Sequence, residues 1–149
     1  MKPTKPRRAE RGTQVVELAL VLPLLLFMAF LVSEGAGVIR AHQMLNNAAR
    51  EGAHLSAMPE NKCNGATNCL NALKTAVVNY ASVNGLTITT ANVTIDQAKL
   101  ITFPGGTSGT GSQVTVTYSY PLIYLPALPF FKIPKSVALQ NAVEFRNFY

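Results

Sequence analysis

The sequence predicts an α+β chain: a long N-terminal helix, a second short helix and a small antiparallel sheet of three or four strands. Apolar residues recur every three or four positions through Leu55 and again over Leu70–Tyr80, the period of a helix face. From Leu86 onward the composition turns to Thr, Val and Ile in near-alternation, the period of strands. With 149 residues there is room for one small domain beyond the long helix, and too little for two ordinary ones.

Thirteen Lys and Arg stand against seven Asp and Glu, a formal charge of +6. Five of the basic residues (Lys2, Lys5, Arg7, Arg8 and Arg11) and one acid (Glu10) fall in residues 1–12, leaving eight and six for the rest. The basicity therefore belongs to a short N-terminal leader, with a nearly balanced chain behind it. A nucleic-acid binder would need basic groups clustered on a face of the domain together with stacking aromatics, so that class is set aside.

Leu18–Ser33 (LALVLPLLLFMAFLVS) carries no charge over 16 residues. That is the short edge of a membrane-spanning helix. The basic cluster directly before it is the usual cytoplasmic anchor, which would place residues after about 36 on the far side of the membrane. A buried core helix is the alternative. Given a membrane segment, three processing routes are open: a signal peptide cut near Ser33 and Gly35, an uncleaved anchor, or a prepilin-type leader cut before the apolar run. Gly12 and Glu17 discriminate. A carboxylate inside a membrane helix costs about 3 kcal/mol at the bilayer centre and less near the interface, and a signal peptide or anchor has no use for one. Cleavage after Gly12 would make Thr13 the new terminal ammonium and Glu17 the fifth mature residue. Glu17 could then neutralise a neighbouring subunit's terminal amine in a low-dielectric helix bundle. An interfacial Glu that merely suits the helix dipole is the plainer alternative.

Helical patterning continues through Val38, Ala41, Leu45, Ala48, Gly52 and Leu55. A helix over residues 13–57 would span about 68 Å. Pro23 is expected to kink or loosen it. Gly35, Ala36 and Gly37 either permit close helix approach or form a flexible membrane exit.

The segment Arg11–Ala57 resembles the N-terminus of TadE-like proteins, the pseudopilins or minor pilins of tight-adherence (Flp-type) pili. The shared features are Arg-Gly before the cut, a Glu five residues on, Leu22–Leu25 in the apolar run, and Asn47–Ala53 (Asn-Ala-Ala-Arg-Glu-Gly-Ala) near the helix end. Val114–Leu128 is similar to the family's closing strand and Pro-Leu turn. The resemblance implies a pilin-like fold with three parts: a leader over 1–12, a long helix over 13–57 and an extracytoplasmic domain over 58–149. It also implies a single-pass protein of the bacterial inner membrane with its C-terminal domain periplasmic or extracellular. Prepilin peptidase and other pilin subunits would be its partners, and pilus assembly, adhesion and biofilm formation its role. An uncleaved, signal-anchored periplasmic binding module is the alternative.

Cys63 and Cys69 are the only cysteines, and on the oxidising side of a membrane they are expected to form a disulfide. Their spacing is wrong for a redox pair, and His42 and His54 would not converge on them as metal ligands. A second helix is expected over Leu70–Val83, ending near Asn84-Gly85. Strands are expected at Leu86–Thr90, Asn92–Ile95, Val114–Tyr120 and Ser136–Phe145, with Gly105–Ser112 as a loop. The apolar, Pro-rich stretch Pro121–Pro134 either folds back as core, which so small a domain needs, or presents an interaction or membrane-proximal patch. The acids Glu51, Glu60, Asp96 and Glu144 do not cluster in sequence. No nucleophile, metal or phosphate-binding motif stands out, so neither an enzyme nor a cofactor or small-molecule substrate is expected.

Overall fold

In the computed structural model, residues 8–102, 106, 108–123 and 134–149 are described, the side chains of residues 8–11 excepted. Helix α1 (Arg8–Ser56) is followed by α2 (Thr67–Val83) and by strands β1 (Val93–Thr102), β2 (Ser108–Pro121) and β3 (Ser136–Arg146). The strands form one antiparallel sheet in the order β1-β2-β3. The α+β class follows, with three strands among the described residues.

At 49 residues α1 is about 73 Å long. It starts ahead of Gly12 and carries on across Pro23. Its last third bears a stripe of small residues: Ala41, Ala48, Ala49 and Ala53 are buried around Leu45, and Gly52 is buried with them. Small side chains let other elements approach the helix axis closely. Val77 of α2 and Val114 of β2 both come to Gly52, where an added Cβ would lie 2.5 Å from Val77 Cγ2 and 3.2 Å from Val114 Cγ1.

Strand β2 runs antiparallel to α1 along this stripe. The Tyr120 hydroxyl occupies the space where Gly37 would carry a Cβ, Val114 meets Gly52, and the Ser112 and Ser56 hydroxyls share a hydrogen bond. Val114, Val116, Tyr118 and Tyr120 alternate toward the helix, across from Val143, Asn141, Leu139 and Val137 of β3. On the other face of the sheet, Gln113 donates to the Glu144 carboxylate at 2.7 Å. Helix α2 buries Leu73, Val77 and Ala81 and ends where Gly85 takes a φ of +83°. That left-handed turn lets the Leu86 N–H close on Ala81 O at 2.9 Å.

Two sequence expectations are corrected here. Leu86–Thr90 is not a strand. Leu86 and Ile88 are buried and alternate with exposed threonines, but periodicity reports only which side faces the core, and no neighbouring strand supplies a ladder. The Thr89–Asn92 capping box then turns the chain into β1. Second, Ser108–Ser112 belongs to β2 and is not loop. Gly111 is required there because Ile101 and the Phe145 carbonyl leave no room for a Cβ. Both β1 and β2 are longer than the alternation suggested. In the Pro121–Pro134 stretch Leu122 is half-buried and Ile123 exposed, while 124–133 lie outside the described residues.

Gly52→Val should lower the stability of the detergent-solubilised chain by about 2 kcal/mol or more, because it overpacks a closed contact. Gly35→Ala meets nothing within 4 Å and should leave stability unchanged or slightly raised. Urea unfolding followed by far-UV circular dichroism checks the pair.

Candidate functional site on the long helix

From Gly12 to Leu26 every side-chain position of α1 is exposed, and most positions to Ser33 remain so. Leu20 keeps 75% of its surface and Val32 72%. Among the described residues nothing of the domain buries the apolar window, which goes against the reading of a core helix. A helix this apolar and this open suits lipid or other helices as its surroundings. The helix is long and apolar enough to cross a membrane.

Two carboxylates bracket this stretch. Glu17 is exposed, and Thr13 lies four residues before it, hence on the same helix face. Glu34 lies about 26 Å further along the axis and is buried to 3% exposure. Its Oε1 accepts the Ile123 N–H at 3.0 Å. The neighbouring Leu122 N–H donates to Lys135 O at 2.9 Å, so the chain leaving β2 and the chain returning to β3 are drawn together beside Glu34. Gly12, Thr13 and Glu17 thus stand on the open rod, whereas Glu34 marks where the rod joins the domain.

The other end of the domain is held by Gln97. Its Oε1 accepts the Cys63 N–H at 2.9 Å, and its Nε2 donates to Ser56 O and Asn61 O, both at 2.8 Å. Asn147 Nδ2 donates to Gln97 O at 2.9 Å. One residue therefore ties the end of α1, the following turn and the C-terminal segment together. Cys63 and Cys69 are joined by a disulfide with Cα atoms 5.4 Å apart, closing the turn before α2. The remaining acids stay dispersed: Asp96 Oδ1 takes the Ala98 N–H and Glu144 takes Gln113. Among the described residues no three His, Cys, Asp or Glu side chains gather as metal ligands. The exposed His54 ring packs edge-on against Phe145 at 5.9 Å.

Sequence reasoning missed Glu34 and Gln97. Glu34 had one readable signal, as the first charge after the apolar run. Gln97 had none, because its role depends on a β-bulge, with Gln97 and Ala98 together opposite Ser112.

Residues 12–54 match the family model described as TadE-like protein. The helix is TadE-like. The match opens on Gly12 and stops two residues short of the end of α1, so it covers the rod and not the sheet. The match does not extend to Val114–Leu128. Searches of curated proteins and of solved structures returned no match.

The junction of the TadE-like helix with its domain yields a test. Glu34→Ala should cost about 1.5–3 kcal/mol, the range for a hydrogen bond to a charged group, and should speed hydrogen exchange at the Ile123 amide. Glu34→Gln keeps an acceptor and should retain most of the protection.

Proposed function

We propose that this chain is a minor pilin or pseudopilin of a tight-adherence (Flp-type) pilus and secretion apparatus. In this reading a prepilin peptidase removes residues 1–12 by cutting after Gly12. The mature helix then waits in the bacterial inner membrane with its N-terminus on the cytoplasmic side and the domain outside. On assembly, α1 packs among the helices of other pilin subunits, supporting attachment and biofilm formation. The role is one of assembly and not of catalysis.

The reading is supported above all by one conjunction: an uncovered apolar helix, TadE-like from Gly12, whose sole charge between Gly12 and Ser33 is Glu17. In lipid that carboxylate is costly, about 3 kcal/mol at the centre and less toward the surface. A terminal ammonium on Thr13 of a neighbouring subunit would be the matching charge. Within a packed helix bundle such a pair is strong because neither group has water as a rival partner. The cut and the carboxylate thus make one device, the first creating the cation that the second requires. The positive leader serves topology, and its removal leaves a nearly neutral chain able to pack against copies of similar charge.

Intact mass of the membrane-extracted protein tests the processing step: residues 1–12 should be absent. Full retention would favour an uncleaved anchored binding module, and loss of about the first 35 residues would mean a secreted subunit. Gly12→Ala should abolish the cut, leaving the full-length mass. Glu17→Ala should be processed normally yet assemble poorly, and a normal yield of sheared pili would remove the charge-pairing role.

A further inference from the structure

We propose that the helix-exit end of the domain rests in the headgroup layer of the membrane and binds anionic phospholipid headgroups through Arg40 and Lys135. The inference builds on the single-pass membrane reading above and adds a lipid partner to it.

The argument starts with depth. The apolar stretch ends at Ser33, and Ile123 is fixed beside Glu34, the next residue, through its own amide. Ile123 therefore lies at the level where hydrocarbon gives way to headgroups, and it keeps 66% of its surface. The headgroup layer is about 5–7 Å thick on each side of a bilayer. Arg40 follows Glu34 by six residues, about 9 Å of helix, and long helical side chains lean back toward the helix N-terminus. The guanidinium of Arg40 can thus reach phosphates from just above the layer. Lys135 is exposed and belongs to the same end, since its carbonyl holds the Leu122 N–H.

Charge at this end is one-sided. Glu34 is buried and engaged with Ile123, and the next acid along α1 is Glu51, about 25 Å further from the membrane. Residues 74–95 of the α2 side, and 117–123 and 134–143 around the ends of β2 and β3, hold no Asp or Glu at all. Arg40, Asn84, Tyr118 and Tyr120 also line an open groove of about 400 Å³ between α1, the end of α2 and β2. Amide, phenol and guanidinium donors in a groove of that size suit a phosphate with its glycerol. Tyrosines with a polar tip and an apolar body are the residues found at the membrane–water boundary. Ile39 and Val83, next in sequence to Arg40 and Asn84, are apolar and exposed at 62% and 87%.

The chain has no Trp, so one introduced indole reports its own surroundings. Ile123→Trp and, as the far-end control, Leu100→Trp both replace exposed side chains. Each full-length variant, with circular dichroism matching the parent, is placed in nanodiscs containing phospholipid brominated near the carbonyl end of the acyl chain. Ile123→Trp should be strongly quenched and Leu100→Trp not. Addition of phosphatidylglycerol to phosphatidylcholine discs should deepen the quenching. In detergent, the apparent affinity for short-chain phosphatidylglycerol, read from the same indole, should fall about fivefold for each of Arg40→Gln and Lys135→Gln. Equal quenching of the two indoles in chains that enter the discs would overturn the inference and leave the anchor standing. Failure to enter the discs would overturn both. Quenching or affinity that ignores lipid charge would remove the headgroup assignment.

Discussion

One helix has to satisfy two surroundings, and the handover falls at Glu34. Before it, α1 shows apolar groups on every side. Beyond it, the helix turns a stripe of alanines and Gly52 toward a sheet and a second helix. The two regimes demand opposite residue choices on the same backbone: bulky side chains where lipid or other helices are to be filled, small ones where the protein's own elements must come close. A hydrogen bond from Ile123 to the Glu34 carboxylate fixes where one regime ends. Because α1 is one continuous helix, that single register also fixes the height of everything stacked on it.

The far end has to agree with the near one. From Glu34 to Ser56 the helix rises about 33 Å, and from Ile123 back to Ser112 the strand covers about 36 Å. The lengths match, so β2 can be tied to α1 at both ends, by Glu34 below and by the Ser56–Ser112 hydroxyl pair above. Gln97 then gathers what remains at the top. The bulge opposite Ser112 places it level with the helix end, where it satisfies two carbonyls and the Cys63 N–H at once. These groups sit at or just past the end of the helix ladder, where a buried backbone group without a partner costs about 1–3 kcal/mol. The disulfide restrains the turn that Gln97 holds.

The parts of this architecture that follow from periodicity were legible in the residues. The stripe of α1, the buried face of α2 and the alternation of Val114–Tyr120 are each set by which side chains must leave water, and sequence spacing records that directly. What depends on a neighbour distant in sequence was not legible. Leu86 and Ile88 alternate as a strand does, yet a strand exists only where another lies beside it. Ser108–Ser112 has the composition of a loop, yet it pairs with both β1 and β3, and Gly111 is there to let Ile101 and the Phe145 carbonyl in. On the rod, Gly12 and Glu17 stood out because a glycine after a basic cluster and a charge in an apolar run are anomalies that need no structure to notice. Glu34 and Gln97 are ordinary residues until the fold brings Ile123 and Cys63 to them.

The two glutamates of the rod show how one chemical group serves opposite ends. Glu34 is satisfied within its own chain, so it makes no demand on another subunit and can hold the domain in a fixed attitude on the helix. Glu17 lies on the exposed stretch, where an apolar surrounding gives a carboxylate reason to seek a cation from outside. In the proposed pilin that cation comes from a neighbouring subunit, and the rigid helix carries the consequence outward. Pairing near the N-terminus sets the axial stagger between two rods. The Glu34 tie converts that stagger into a stagger between two domains, about 26 Å away along the axis. A loose junction would let the domains wander whatever the helices did. Assembly specificity and domain orientation are in this way separate tasks, joined only by an unbroken helix between two carboxylates.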